Sequence, residues 1–202
     1  MENESLLRFR RLINNLTGIP EENINVPEII IKKNIFKKNI FKKNEYFSTP
    51  KNKSTLLAFI EKGLFRQYII NSKGDEFTRD FRGENMLMST YAAIIRNKFH
   101  PLYIQALEDS EIYAIERDEF VKIWEKNNIW KDLLQNQTEI DFMRLRKREF
   151  GLLLDDAKTR YLNFLNDFQE YADRIKHLYV ASYLGIKPET LSRIRSAPMS
   201  SI

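Results

Sequence analysis

Apolar residues recur at three- and four-residue steps at the start of the chain: Leu6, Leu7, Phe9, Leu12, Ile13 and Leu16. That spacing predicts a short amphipathic helix over residues 1–18, closed by Gly18 and Pro20. From Leu56 to Ile115 the period shortens. LLAFIEKGLFRQYIINSKGDEF reads as three strands, with turns at Glu61–Gly63 and Ser72–Asp75. LYIQALED and SEIYAIER add two short runs parted by an acidic turn. Short strands at this spacing predict an antiparallel barrel or sandwich. Residues 84–97, with MLMSTYAAII, fit either a helix or an irregular insertion.

From Arg117 onward the period lengthens again. ERDEFVKIWEKNNIWKDLL predicts a helix with an acidic start. A 3-4 repeat follows at Ile129, Leu133, Asn136, Ile140, Met143, Lys147, Phe150 and Leu154. This is the spacing of a coiled-coil seam, and a helix packed only on its own domain shows it too. Ile129, Leu133, Asn136, Ile140 and Met143 are therefore the candidate dimer interface. Gly151 marks a hinge or a helix boundary, since glycine costs about 1 kcal/mol in a helix interior. A further helix fits residues 156–169, capped by Asp155 or Asp156, with Ala157, Tyr161, Phe164, Leu165 and Phe168 on its apolar face.

Composition narrows the chemistry. Of 202 residues, 43% are hydrophobic and 12% aromatic, enough to bury a core and to favour one or two domains. Cysteine is absent, which excludes disulfides, thiolate metal sites and a cysteine nucleophile. Only His100 and His177 are present, so no histidine-rich metal site is expected. No run of 18 apolar residues occurs, and MENESLLRFRR lacks a signal-peptide pattern, so the default expectation is a cytoplasmic protein with no membrane partner. Glu84, Asp109 and His100 stand at no catalytic spacing; neither an enzyme nor a cofactor is expected. The net charge of +5 weakly favours an anionic partner. Eight lysines lie between Lys32 and Lys53 against Glu45 alone, and KKNIF occurs twice in succession. The segment is either a pair of lysine-coated strands or a basic surface that touches phosphate.

The most informative segment is DRIKHLYVASYLGIKPETLSRIRS, which reads as helix, tight turn, helix. Leu178, Ala181 and Leu184 mark one apolar face of the first helix, and the small Ala181 admits a close neighbour. Gly185 suits the left-handed end of that helix, and Pro188 the first turn of the next. Leu191 and Ile194 face inward. Lys187, Glu189, Thr190, Ser192, Arg193 and Arg195 are left as the candidate DNA-binding set, because a recognition helix in the major groove needs acceptors, hydroxyls and guanidinium forks. Five basic residues against one acidic residue between Arg174 and Arg195 agree with that reading. A plain helical hairpin with a solvated charged face is the alternative.

ASYLGIKPETLSRIR closely resembles the DNA-reading segment of the Crp/Fnr-like bacterial regulators. ALEDSEIYAIERDEF resembles the last strands of that family's cyclic-nucleotide-binding-like domain and the start of the next helix. KKNEYF is similar to an early strand segment, with Asn44 where the family often has glycine, and DDAKTRYLNFL resembles the linker helix. The resemblance implies an α+β protein: an antiparallel jelly-roll β-barrel sensor domain over residues 1–118, a dimerisation helix over 119–151 and a helix-turn-helix domain over 152–202. It implies a homodimer that binds double-stranded DNA and recruits or hinders RNA polymerase. Glu189 and Arg193 match the family's base-reading positions, and Thr190 and Ser192 match positions near the phosphate backbone. Lys187 replaces the usual Ser or Thr cap. Seven residues follow Arg195, so no wing is expected.

Nucleotide-binding members of the family share a Gly-Glu motif and an Arg-Ser or Arg-Thr pair. Gly83 and Glu84 are the nearest match to the first. His100 and Pro101 stand where the second belongs, and neither supplies a guanidinium fork. A degenerate effector pocket that ignores cyclic AMP is expected, with any other effector unidentified. A degenerate sensor-domain protein acting through protein contacts is the alternative function.

Overall fold

The computed structural model describes residues 3–24, 36–52, 54–89, 94–95, 102–126 and 128–196. The chain divides into two compact units, one of Met1–Gln67 with Phe81–Asp141 and one of Tyr68–Asp80 with Phe142–Ile202.

Helix α1 (Asn3–Thr17) opens the first unit. Eight strands follow: β1 (Lys37–Phe41), β2 (Tyr46–Ser48), β3 (Leu56–Lys62), β4 (Phe65–Ile70), β5 (Glu76–Arg82), β6 (Leu87–Met88), β7 (Tyr103–Ala106) and β8 (Ser110–Glu116). The jelly-roll barrel expected from the sequence is not formed. The strands make two four-stranded sheets, β1-β8-β3-β6 and β2-β7-β4-β5, and neither closes. Alternating apolar residues satisfy a sandwich and a barrel equally, so the pattern alone does not decide closure.

β3 and β8 pair antiparallel, with Leu57 opposite Ile115 and Phe59 opposite Tyr113. Both strands bury four consecutive central residues, Leu57–Ile60 and Ile112–Ile115, because successive side chains enter different cores. Ala58, Ile60, Ile112 and Ala114 join Phe47, Phe65 and Ile104 in a cluster drawn from both sheets. Leu57, Phe59, Tyr113 and Ile115 join the helices in a second cluster around Trp130. The Trp130 ring meets Phe120 edge-on at 5.7 Å and lies 5.8 Å from Phe9. α2 (Arg117–Lys126) and the first turns of α3 (Asn128–Leu154) thus complete the core of the first unit.

The second copy of KKNIF is β1, an edge strand. Lys38 pairs with Glu111 and Lys42 with Asp109, each at 2.8 Å. The Lys42 ammonium and the Lys43 N–H hold the Asp109 carboxyl below its usual range. Acids near and within β8 therefore neutralise part of the lysine coat. The first copy, apart from Phe36, lies outside the described residues. Asn44 has φ 74°, a left-handed turn position that asparagine tolerates better than most residues with a side chain. Of residues 84–97, Leu87 and Met88 form β6 and Ile94 is buried in the helix-lined core.

Candidate nucleic-acid interface

The C-terminal domain is built from the second half of α3, α4 (Ala157–Asp167), α5 (His177–Leu184) and α6 (Pro188–Ser196). Asp156 caps α4 by accepting from the Thr159 N–H at 2.7 Å, which holds its carboxyl below the usual range. α4 presents Phe164, and the chain beyond it Phe168 and Tyr171. Phe164 and Phe168 lie 5.1 Å apart, and the Tyr183 ring meets Phe168 edge-on at 5.4 Å. Burial pushes the Tyr183 phenol above its usual range.

This aromatic centre fixes which face of α5 is inside. Val180, Ala181, Tyr183 and Leu184 are buried. Leu178, expected inside, is 60% exposed. It lies about 140° around the helix from the centre of that stripe at 100° per residue. Gly185 ends α5 with φ 66° and ψ 36°. Ile186 N–H donates to the Ala181 carbonyl at 3.1 Å and Gly185 N–H to that of Ser182 at 3.4 Å. These two bonds form a Schellman motif, which stops the helix and turns the chain sharply. Pro188 starts α6, and the Lys187 carbonyl accepts from Thr190 N–H at 3.0 Å. Leu191 is buried and anchors α6.

Lys187, Glu189, Ser192, Arg193 and Arg195 are exposed, and Thr190 is half-buried. Glu189, Ser192 and Arg193 stand at i, i+3 and i+4 and share one face. Arg193 Nη2 lies 3.5 Å from Thr190 Oγ1. Arg195 lies on another flank, with its guanidinium against the His177 ring, 2.8 Å from Nδ1.

The other predicted sites fare differently. Leu133 is buried in the first unit's core and Ile129 packs against it. Asn136 donates from Nδ2 to the Leu16 carbonyl. Ile140 and Met143 are exposed, as are Phe142, Phe150, Leu153 and Leu154 farther along α3. Glu84 accepts from the Gly63 N–H at 2.8 Å. The buried Arg82 pairs with Asp141 at 2.8 Å. His100 and Pro101 lie outside the described residues.

One network has no counterpart in the sequence reading. Within the second unit, Ser182 Oγ accepts from Thr78 N–H at 2.9 Å and donates to the Glu76 carbonyl at 3.1 Å. Arg148 donates to the carbonyls of Thr78 and Tyr183 and stacks 4.6 Å from the Tyr183 ring centre. α3 and α5 so cap the outer edge of β5, an edge strand that otherwise offers open hydrogen-bonding groups. No local signal marks Arg148, because its partners lie 35 and 70 residues away.

Residues 38–127 match the cyclic nucleotide-binding domain family. FixK2 from Bradyrhizobium japonicum is similar, with 18% identity, a TM-score of 0.73 and coverage of 80% of this chain and 83% of that one. A transcriptional regulator of the Crp/Fnr family from Eubacterium rectale follows, with 17% identity, a TM-score of 0.69 and coverage of 86% and 82%. This is the Crp/Fnr regulator fold. A variant of CooA from Carboxydothermus hydrogenoformans shares it at 20% identity, a TM-score of 0.63 and coverage of 86% and 83%. No curated protein matches the sequence. The resemblance read from the sequence and the likeness to these solved structures thus agree on the fold. Among the described residues, no helix is long and apolar enough to cross a membrane.

Proposed function

We propose that the chain is a homodimeric, sequence-specific DNA-binding transcription regulator that does not respond to cyclic AMP. The observation that carries this reading is α6, held by Gly185, Pro188 and Leu191 with Glu189, Ser192 and Arg193 on one exposed face. Arg193 supplies the fork that guanine O6 and N7 accept, and Glu189 accepts from cytosine N4. Lys187 and Ser192 meet phosphate, and Arg195 does so once it leaves His177. In this reading residues 1–118 sense, 119–151 dimerise and 152–202 read DNA. RNA polymerase is the downstream partner.

Dimerisation rests on the later part of α3. Ile140, Met143, Phe150 and Leu154 continue the 3-4 spacing, and all four are exposed. Pairing of two such stripes would bury them and set two recognition helices on half-sites about 34 Å apart. Insensitivity to cyclic AMP rests on three observations. Glu84 already serves Gly63, Arg82 already serves Asp141, and His100–Pro101 replaces the phosphate-binding pair. The test is selection from random duplexes, then titration of the enriched and a scrambled duplex at several salt concentrations. Enrichment of a two-fold symmetric site is the expected result. Equal affinity for both duplexes would leave a protein-contact role as the better reading.

A further inference from the structure

β1 (Lys37–Phe41) is one copy of KKNIF, and residues 32–36 are an identical copy directly before it. A third KKN, residues 42–44, follows. The register of a strand is normally pinned because its side chains differ from place to place, so a slip puts the wrong residues on each face. A slip by one whole repeat does not. Every position of β1 then receives the residue type it already had.

In the observed pairing Lys37 stands opposite Ala114, Ile40 opposite Glu111 and Phe41 opposite Ser110. Sliding the chain by one repeat puts Lys32, Ile35 and Phe36 at those positions. The polar partners are replaced in kind. Lys38 pairs with Glu111 and Lys42 with Asp109, each at 2.8 Å, and their successors are Lys33 and Lys37. The Lys43 N–H donates to Asp109 at 2.9 Å, and Lys38 succeeds it. Asn44, at φ 74°, gives way to Asn39, which accepts a left-handed turn equally well. The apolar anchor is matched too. The Phe41 ring lies 5.8 Å from Phe65 and 6.2 Å from Phe47, and Phe36 succeeds it there.

One difference makes the observed register the major one. Phe36 is buried 5.5 Å from Phe9 and 6.4 Å from Trp130, and Ile31 is its successor. The slip trades an aromatic ring for an aliphatic chain in the helix-lined core and leaves Phe41 outside. The displaced residues lengthen the connection to β2 at little cost, because loop-closure entropy grows only with the logarithm of length. Among the described residues β1 is an edge strand, so only its pairing with β8 has to break.

We propose that β1 is a two-register strand: the two KKNIF copies exchange against β8, which inserts or withdraws Phe36 at the Trp130 core. Trp130 lies in the first turns of α3, so the exchange is felt at the foot of that helix. It does not depend on DNA binding.

The absence of cysteine makes the exchange readable by cross-linking in the full chain. Facing Cα atoms of paired strands are roughly 4.5–5.5 Å apart, within disulfide reach. Ile40→Cys with Glu111→Cys reports the observed register. Ile35→Cys with Glu111→Cys reports the shifted one. Asn34→Cys with Glu111→Cys, one place out of phase, measures chance encounters. Glu111→Cys removes the same ion pair from both registers. Lys37, Ile40 and Lys42 are exposed, so changes there preserve the fold, and closure of the Ile40 pair verifies it. In a glutathione buffer the Ile35 pair should close well before the Asn34 pair. Lys42→Glu sets a like charge beside Asp109 in the observed register alone. It should speed the Ile35 pair about fivefold, the scale of an exposed ion pair turned repulsive. Lys37→Glu does so in the shifted register alone and should slow that pair by a similar factor. Equal closure of the Ile35 and Asn34 pairs would overturn the proposal. So would an Ile35 rate that fails to rise in Lys42→Glu or to fall in Lys37→Glu.

Discussion

At the scale of single residues, the proposed DNA reading separates the exposed side chains of α6 by what each would contact. Arg193→Ala should cost about 1–3 kcal/mol on the selected duplex and relax the preference at one base step. The loss on a scrambled duplex should be smaller, since only general electrostatics goes. Lys187→Ala should weaken both duplexes alike and reduce the salt slope by about one. Titration of both variants at several salt concentrations checks the pair. Equal weakening by Arg193→Ala on both duplexes would make Arg193 a phosphate contact and move base reading elsewhere. Gly185 is a matter of backbone alone. Its φ of 66° lies where a Cβ costs about 1–2 kcal/mol, and that Cβ would stand 3.1 Å from Leu152 Cδ2. Gly185→Ala should therefore lower the urea midpoint by a comparable loss of stability, and an unchanged midpoint would contradict the Schellman assignment.

At the scale of elements, α3 changes role along its length. Its first turns place Trp130, Leu133 and Leu134 in the core. Farther on, Met143 is 66% exposed and Leu154 80% exposed. Leu133→Ala should destabilise the fold by about 2–5 kcal/mol, as buried leucine truncations do. Met143→Glu, at an exposed position, should leave thermal stability of the monomer nearly intact and shift sedimentation from dimer to monomer. A dimer that survives Met143→Glu and Phe150→Glu together would place the interface on another element. α4 depends on its cap in a pH-dependent way. The Thr159 N–H holds Asp156 below its usual value, so the folded state binds that proton less readily than the unfolded chain. The stabilisation is complete above the unfolded value, about pH 4, and is lost as pH falls through the lower folded value. An amide oxygen at the cap does not titrate. The stability gap between wild type and Asp156→Asn should thus narrow on acidification, and a gap constant from pH 6 to pH 2 would remove the carboxylate from the cap.

At the scale of the whole molecule, the question is what the nucleotide-binding-like domain answers to. It matches the cyclic nucleotide-binding family over residues 38–127, yet Glu84 and Arg82 are both committed to partners inside the protein. Calorimetry with millimolar cyclic AMP should give no saturable heat. Micromolar binding would overturn this and point to Arg82 or Arg96 as the phosphate partner, with Arg82→Gln and Arg96→Gln deciding between them. A homodimer should also protect two half-sites about one helical turn apart in a footprint.

Local sequence determined the parts whose geometry is local. Gly185, Pro188 and Leu191 lie within seven positions, and backbone preference plus one apolar anchor suffices to write a helix, a turn and a helix. The strand periods were legible for the same reason, as were α1 and the capped α4. Tertiary structure alone decided three things. It left the two sheets open rather than closed, because alternation specifies faces and not edges. It buried Leu133 and exposed Met143 on one continuous helix, because a 3-4 repeat names a stripe without naming its partner. And it joined Arg148 to carbonyls 35 and 70 residues away, since hydrogen bonds across such distances arise only when packing brings the strands and helices together.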